Sequence, residues 1–429
     1  MNAACFFRLL PLAGFVAFFP HPSAHSLDWP AFRGPSGDGA APAGEDAPLE
    51  WSERKNLVWR TELPGPGSSS PIVVGDRVFL SCYSGYGLDK RDPGDLSKLR
   101  RHAICLDRNS GKVLWDEIIP NPDAEEPYQG EYITTHGYAS GTPVSDGKGV
   151  FFFFAHAGVH AFTLDGRKVW ERNVGSKPHP WGSGSSPLLH GDLLFVNAAL
   201  ESDTLHALDR RTGETVWSAT GFPNSWGTPA LAKVGGREEL IVNASGKLRA
   251  FDPATGKELW FCQSIRAAEL CPSVLVHEGV CYVIGHPRGE GMAVKAGGDG
   301  DVTGTHVLWR IQKGSNVGSP VWHDGHLYFV NDSRGMALCV KADDGRVVYE
   351  ERISPARDRW YASPVLVKDR LYYVGRTSGT VVLAAKPSFE VLAKNVVADD
   401  TSVSNASFAV AGERIYLRSD RFAYCFGRK

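Results

Sequence analysis

Phe251-Asp252-Pro253-Ala254-Thr255-Gly256-Lys257-Glu258-Leu259-Trp260 is the stretch that decides the fold. An Asp that can bond the turn backbone, followed by a Gly that accepts positive φ, marks a tight turn between two strands. The closing Trp then sits on the second strand. The same order returns at Leu208-Asp209-Arg210-Arg211-Thr212-Gly213-Glu214, with Trp217 beyond it. Aromatics recur in that place as Trp115, Trp170, Trp217, Trp260, Trp309 and, in the sixth unit, Tyr349. Upstream in each unit a hydroxyl residue precedes Pro and an apolar run. The copies are Ser70-Pro71, Thr142-Pro143, Ser186-Pro187, Thr228-Pro229, Ser319-Pro320 and Ser363-Pro364, and aligned strands add Ser273-Val274 and Ser407-Phe408. Their hydroxyl residues are spaced 72, 44, 42, 45, 46, 44 and 44 residues apart.

Four short strands bounded by turn signals and repeated at this period describe propeller blades. The sequence therefore predicts an all-β fold, an eight-bladed β-propeller of four-stranded antiparallel blades. Inner strands start near residues 71, 143, 187, 229, 274, 320, 364 and 408. Helical repeats share the period but need helices of a dozen residues, and 47 Gly with 27 Pro interrupt any such run. The eighth unit ends after Phe422-Ala423-Tyr424-Cys425-Phe426 and lacks a fourth strand. Asn56-Leu57-Val58-Trp59-Arg60-Thr61-Glu62 can supply it, with Trp59 where the other tryptophans sit, and such closure removes the open seam of the ring. The propeller thus spans 56–429. The long first interval holds two insertions, Tyr83 to Arg101 and Pro120 to His136, expected to be loops on one face. A lead-in over 27–55, rich in Pro, Gly and Ala, is expected to wrap the outside.

Residues 1–26 read as a secretory signal peptide: Arg8 precedes the apolar run Leu9 to Phe19, and Ala24-His25-Ser26 suits cleavage after Ser26. An uncleaved anchor is the alternative. Cys5 lies ahead of the apolar run, where no lipobox cysteine sits. No later segment approaches the roughly 20 apolar residues of a transmembrane helix. The expected location is periplasmic or extracellular. A hydrophobic fraction of 42% provides a large core, and a net charge of −2 offers nothing to hold a nucleic acid by bulk electrostatics. A monomer is expected. Seven cysteines remain after Ser26, namely Cys82, Cys105, Cys262, Cys271, Cys281, Cys339 and Cys425, with no CxxC and no adjacent pair. Buried unpaired thiols or one disulfide both fit that count.

The turn-plus-Trp segment resembles the tryptophan-docking repeat of the pyrroloquinoline quinone (PQQ)-like propellers, a superfamily that includes quinoprotein alcohol dehydrogenases and the assembly factor BamB. More closely, the chain resembles secreted PQQ-like repeat proteins of planctomycetes and related bacteria. The matching residues are Trp29-Pro30-Ala31-Phe32-Arg33-Gly34-Pro35-Ser36-Gly37-Asp38-Gly39, His136-Gly137-Tyr138-Ala139-Ser140, Trp181-Gly182-Ser183-Gly184-Ser185-Ser186-Pro187 and Tyr424-Cys425-Phe426-Gly427. The resemblance implies a fold of the WD40 and YVTN type over the mature chain. It implies function weakly, since the fold hosts both enzymes and scaffolds.

Trp59, Trp115, Trp170, Trp217, Trp260 and Trp309 could be ligand platforms, but their even recurrence favours packing between blades. The eight hydroxyl residues should ring the axial channel, where converging strands admit only small side chains. The loops leading into the inner strands converge on one mouth and are the better place for a ligand. They carry Thr135, His136 and Tyr138, then His179, Trp181 and Ser183, then Asn224, Ser225 and Trp226. Arg266, Glu269, Asn316, Arg359, Trp360, Tyr361, Ser404 and Asn405 follow. Aromatic walls with a few amides, imidazoles and a guanidinium are what binding clefts use, although ordinary loop packing uses them too. For His136 the plainer role is a loop histidine bonded to backbone.

The resemblance also raises PQQ with calcium as a cofactor. Quinoprotein dehydrogenases carry an adjacent Cys-Cys pair, absent here, with a calcium held by carboxylate and amide oxygens and a carboxylate base. Asp299-Gly300-Asp301 reads as a turn, and no histidines show ligand spacing, so no metal site and no catalytic residue is assigned. The leading expectation is a non-enzymatic exported propeller that binds an envelope protein or polysaccharide. The alternatives are a PQQ-dependent alcohol or sugar dehydrogenase and a BamB-like outer-membrane assembly factor.

Overall fold

The computed structural model describes residues 28–89, 91–122, 125, 127, 136–285, 289–354 and 357–428. The segment 1–26 and Thr135 lie outside the described residues.

Eight antiparallel sheets form the ring. Blade 1 comprises Ile72–Val74, Arg77–Ser84, Arg100–Asp107 and Val113–Pro120. Blades 2, 3 and 4 run from inner strands Val144–Ser145, Leu188–His190 and Ala230–Val234 to outer strands Lys168–Arg172, Thr215–Thr220 and Glu258–Gln263. Blades 5, 6 and 7 run from Leu275–His277, Val321–His323 and Val365–Val367 to Val307–Ile311, Val347–Arg352 and Val391–Asn395. Blade 8 is Ala409–Val410, Ile415–Arg418 and Phe422–Phe426, completed by Leu57–Glu62 from the other end of the chain. In that closing pair Trp59 faces Cys425 and Glu62 faces Phe422. Asp299 sits at a bend, but Gly300–Asp301, expected to be part of a turn, instead adds a short parallel strand to the edge of blade 4.

The repeat motifs account for the blades. Six of the eight inner strands follow a Pro, which has no N–H to give and suits the start of a strand. In the turns, Asp209 Oδ1 accepts from the N–H groups of Arg211 and Thr212 at 2.8 and 3.1 Å, and Asp252 Oδ1 does the same for Ala254 and Thr255. The Gly that follows takes positive φ and lies under the preceding blade's Trp. A Cβ on Gly256, at φ +72°, would stand 2.6 Å from the Trp217 ring.

That contact is the blade-to-blade joint. Trp59, Trp115, Trp170, Trp217 and Trp309 each donate Nε1–H to a backbone carbonyl in the next blade's turn, at 2.9–3.0 Å. Packing is thus their role, as their recurrence predicts. Trp260 differs: it is fully buried and donates to Glu239 Oε2 at 2.7 Å.

The eight hydroxyl residues do more than fit a narrow space. The N–H of Ser70 donates to Thr142 Oγ1, Thr142 to Ser186, Ser186 to Thr228 and Thr228 to Ser273. Ser273 donates to Ser319, Ser319 to Ser363, Ser363 to Ser407, and Ser407 back to Ser70. All eight bonds measure 2.9–3.1 Å, forming a closed circuit in which every blade gives one donor and takes one. Each such bond contributes about 1 kcal/mol net. The sequence pattern supplied the small size; the acceptor role is what the structure adds.

The lead-in departs from expectation. It does not wrap the outside; residues 29–41 cross the inner-strand end of the ring. Trp29 pairs with Val73, Pro30 O accepts from Ser145 N–H at 2.9 Å, and Gly39 O accepts from Leu366 N–H at 2.9 Å. Arg33, buried, holds this crossing through Gly37 O, Asp38 O and Pro320 O. The physical reason is that the inner-strand ends expose backbone groups that need partners. The lead-in then passes blade 7, where Asp46 pairs with Lys368 and Arg370, and Trp51 inserts among Tyr372, Phe408 and Phe426.

Of the two insertions, the first lengthens the middle strands of blade 1 and forms a small aromatic core of Tyr83, Tyr86, Leu99 and Tyr138. All seven cysteines from Cys82 to Cys425 are free thiols, and all but Cys271 are buried. Among the described residues no helix is long and apolar enough to cross a membrane.

Candidate functional site

The loops entering the inner strands surround an axial cup of about 230 Å³. Its wall is the hydroxyl circuit and its floor includes Phe32 from the crossing lead-in. Each hydroxyl in the circuit spends a lone pair on a backbone N–H, and among the described residues none of their O–H protons has an acceptor. The wall therefore offers hydrogen-bond donors to whatever fills the cup.

Of the residues singled out from sequence, His136, Trp181, Trp226, Asn316, Arg359 and Asn405 line this cup, together with Glu269 and Tyr361. Tyr138, His179, Ser183, Asn224, Ser225, Arg266, Trp360 and Ser404 do not. Tyr138 is buried against Tyr83 and Tyr86, with the Arg101 guanidinium over its ring. Trp360 is 1% exposed and belongs to the core between blades 6 and 7. Asn224 takes φ +52° and shapes a turn by accepting from Leu270 N–H. His179 packs edge-on against Trp226 at 4.9 Å, and Arg266 is exposed beside Gly246. In these loops neighbouring residues point to opposite sides, and no periodicity tells the inward side from the outward one. Asp332 and Phe32 also line the cup and were not foreseen. Asp332 follows a middle strand instead of preceding an inner one, and Phe32 arrives from a distant part of the chain.

The rim is tied together. Arg376 Nε donates to Asn405 Oδ1 at 2.8 Å, Asn405 Nδ2 donates to Ser68 Oγ at 3.3 Å, and Ser68 Oγ donates to His136 O at 3.0 Å. His136 Nε2 donates to the Trp181 carbonyl, and Nδ1 lies 2.6 Å from Ser140 Oγ. Burial pushes the His136 imidazole down to about 4, so the ring stays neutral at neutral pH. With Nε2 engaged on a carbonyl and a pKa this far below 7, His136 is a positioning group and is not poised as a general base. Across the cup, Asp332 Oδ1 accepts from Asn316 N–H at 2.7 Å and Ser315 Oγ at 3.3 Å. Burial raises its carboxyl above the usual range, although Arg359 opposes the shift. The two indoles differ. Trp226 is 6% exposed and pinned by donating to Gly182 O at 2.8 Å, whereas Trp181 is half-buried and presents ring surface to the cup.

A calcium-bound quinone would need several carboxylate and amide oxygens converging on one ion. Among the described residues no three His, Cys, Asp or Glu side chains gather to hold a metal. Of the cup's two acids, Asp332 is already engaged, and Cys271 is its lone thiol. This donor set does not fit a calcium–quinone pair.

Comparison with known proteins places this geometry. The family model PQQ_2, described as outer membrane protein assembly factor BamB, matches residues 100–351 and 201–426, overlapping as repeats do. A polyvinylalcohol dehydrogenase of Pseudomonas sp is 22% identical over 348 residues, 71% of this chain and 48% of that protein. The chain therefore spans about half the length of that curated relative. The crystal structure of BamB from Moraxella catarrhalis superposes with a TM-score of 0.60 at 14% identity, covering 87% of this chain and 97% of that one. A quinohemoprotein alcohol dehydrogenase from Comamonas testosteroni gives 0.60 at 10% identity, covering 95% and 82%. At such identities the structures share the fold alone. The length matched by the family model, together with the tryptophan joints and the ring of eight sheets, makes this chain a member of the PQQ-like, BamB-related propeller family.

Proposed function

We propose that this propeller is an exported, non-catalytic binding protein of the cell envelope whose axial cup receives a hydroxyl-rich ligand, the end or a short segment of a saccharide chain. The observation that carries this reading is the composition of the cup. Trp181 and Trp226 offer apolar ring faces to the C–H side of a sugar, and Asn316, Asn405, Glu269 and the free O–H groups of the wall offer partners to its hydroxyls. A pocket of this size takes one or two sugar units, not a protein domain. Its histidine is neutral and hydrogen-bonded, which suits holding a ligand better than moving its protons.

The test is calorimetric titration of the mature chain with defined oligosaccharides, beside Trp181→Ala. Trp181 is partly exposed, so the variant should fold. Binding that weakens about tenfold or more in the variant supports the reading. The kinship with polyvinylalcohol dehydrogenase favours a second reading, oxidation of an alcohol-bearing polymer. Silence toward every saccharide, combined with a saturable spectral change and dye reduction on adding PQQ and calcium, would replace the first reading with the second. Specific cross-linking of rim positions to an outer-membrane protein would instead favour the assembly role of the BamB relatives.

A further inference from the structure

A second concavity adjoins the cup between blades 6 and 7. It has a volume of about 730 Å³, and Arg359 lines both spaces. Arg334, Arg352, Arg357 and Arg376 line it as well. Five guanidinium groups thus face one groove in a chain whose net charge is −2.

Arg359 and Arg376 feel Asp332 and Asp420 on the cup side, and the two acids that line the groove itself are engaged elsewhere. Glu350 is engaged by Lys313. The Asp358 carboxylate is filled by Ser378 Oγ at 2.7 Å, Ser378 N–H at 2.9 Å, Thr377 N–H at 3.0 Å and Thr377 Oγ1 at 3.1 Å. Burial works against its ionised form, yet these bonds hold its carboxyl below the ordinary range, so its charge is spent on the blade 7 turn. Arg334, Arg352 and Arg357 are exposed, and no carboxylate pairs with them among the described residues. Arg352 Nη1 donates to the backbone carbonyl of Arg334 at 3.3 Å, which holds the Arg352 guanidinium against the Arg334 turn. Toward the cup, Arg376 lies over the Tyr361 ring at 5.0 Å and Arg359 Nη1 donates to Tyr361 Oη at 3.2 Å. Arg334, Arg352 and Arg357 thus bring like charges together on one exposed face with no paired carboxylate among the described residues, and such charges repel one another. Guanidinium forks match planar anionic groups bidentately.

We infer that the groove is an anion subsite continuous with the cup, and that the ligand is an acidic glycan bearing carboxylate or sulfate groups. This rests on the saccharide reading of the cup and names its substrate class. A chain with one unit in the cup would pass Arg359 and lay its anionic groups along Arg376, Arg352 and Arg334.

The experiment titrates the mature protein with an oligogalacturonate, a sulfated oligosaccharide and a neutral oligosaccharide of matched length, at two salt concentrations. It is repeated on R334Q/R352Q and on Trp181→Ala, with inorganic sulfate as a further ligand. The expected result is acidic-chain binding that weakens with salt and falls at least tenfold in R334Q/R352Q, while neutral-chain binding is unmoved. The tighter of the two acidic arms names the anionic group. Equal, salt-insensitive affinity for neutral and acidic chains overturns the groove and leaves the cup reading standing. Acidic binding that needs the arginines but ignores Trp181→Ala supports the groove and overturns the cup. Inorganic sulfate binding as tightly as the sulfated chain overturns the glycan assignment, and silence toward every saccharide overturns both.

Discussion

The joint between blades 3 and 4 and the joint between blades 4 and 5 have the same task and different chemistry. At the first, Trp217 covers Gly256 and donates to Pro253 O in the neighbouring turn. At the second, blade 5 lacks the Asp-to-Gly turn and offers Gly297-Gly298 instead, and the Gly298 carbonyl accepts from Arg237 Nη2 at 3.1 Å in place of the indole. Trp260 therefore donates within its own blade to Glu239, and that carboxylate also accepts Gly297 N–H from blade 5 at 3.2 Å and pairs with Arg237. The joint is still bridged, by Gly297 N–H from blade 5 and by Arg237 from blade 4. The repeat conserves a filled space and a satisfied polar tip; the group that satisfies it is free to change.

Removing the ring is the hardest way to break this comparison. Trp59→Ala at the closing joint should cost about 3–5 kcal/mol, because an apolar void replaces the indole and Arg108 O loses its donor. Thermal unfolding by calorimetry measures it, and a loss under 1 kcal/mol would show that the closing strand holds without its tryptophan. At the odd joint, Glu239→Ala strands the indole N–H, Gly297 N–H and Arg237, for a cost of about 3 kcal/mol or more. Glu239→Gln keeps an acceptor for the indole and should cost clearly less; equal losses would refute the bridging role.

A second buried acid sharpens the contrast. Glu201 has an oxygen with no hydrogen-bond partner among the described residues, and burial raises its carboxyl from 4.5 to about 7. The folded chain thus keeps a proton that the unfolded chain releases. The stability penalty is absent below pH 4.5, grows as pH rises toward 7 and persists above it. Glu201→Gln should change stability little at pH 5 and raise it by about 2–3 kcal/mol at pH 8. Melting curves across that range decide the matter, and a pH-independent difference would contradict the buried proton. The smallest effect is expected in the hydroxyl circuit. Ser319→Ala leaves Ser273 N–H without its acceptor and should cost about 1 kcal/mol, whereas Ser319→Thr, which keeps the oxygen, should cost less.

The blades were legible because their signals repeat. Asp-to-Gly turns, hydroxyl–Pro starts and aromatic fourth strands recur at one period, and eight copies outweigh the ambiguity of any single one. Leu57–Glu62 could be matched to blade 8 for the same reason: Trp59 fits the pattern of its siblings. The cup was half legible. The loops that reach it could be named, but whether Trp181 or Trp360 faces inward depends on local backbone turns that leave no periodic trace. Trp51 and Asp332 gave no signal, and Phe32, although part of the Trp29-to-Gly39 match, gave none that placed it in the cup, since each reaches its place through contacts distant in sequence. Arg334, in the turn after Asn331, and Arg352, at the end of the outer strand of blade 6, are brought to one groove only by strand pairing.

The strand Leu57–Glu62 leaves the ribosome long before its partner Phe422–Phe426, with seven blades of chain between them. Until Phe422–Phe426 is made, Leu57–Glu62 has no strand to pair with and the ring stays open. Such distant pairing makes for slow maturation and a lasting exposure of unpaired backbone. A nascent chain built this way needs protection from its neighbours until those two strands meet.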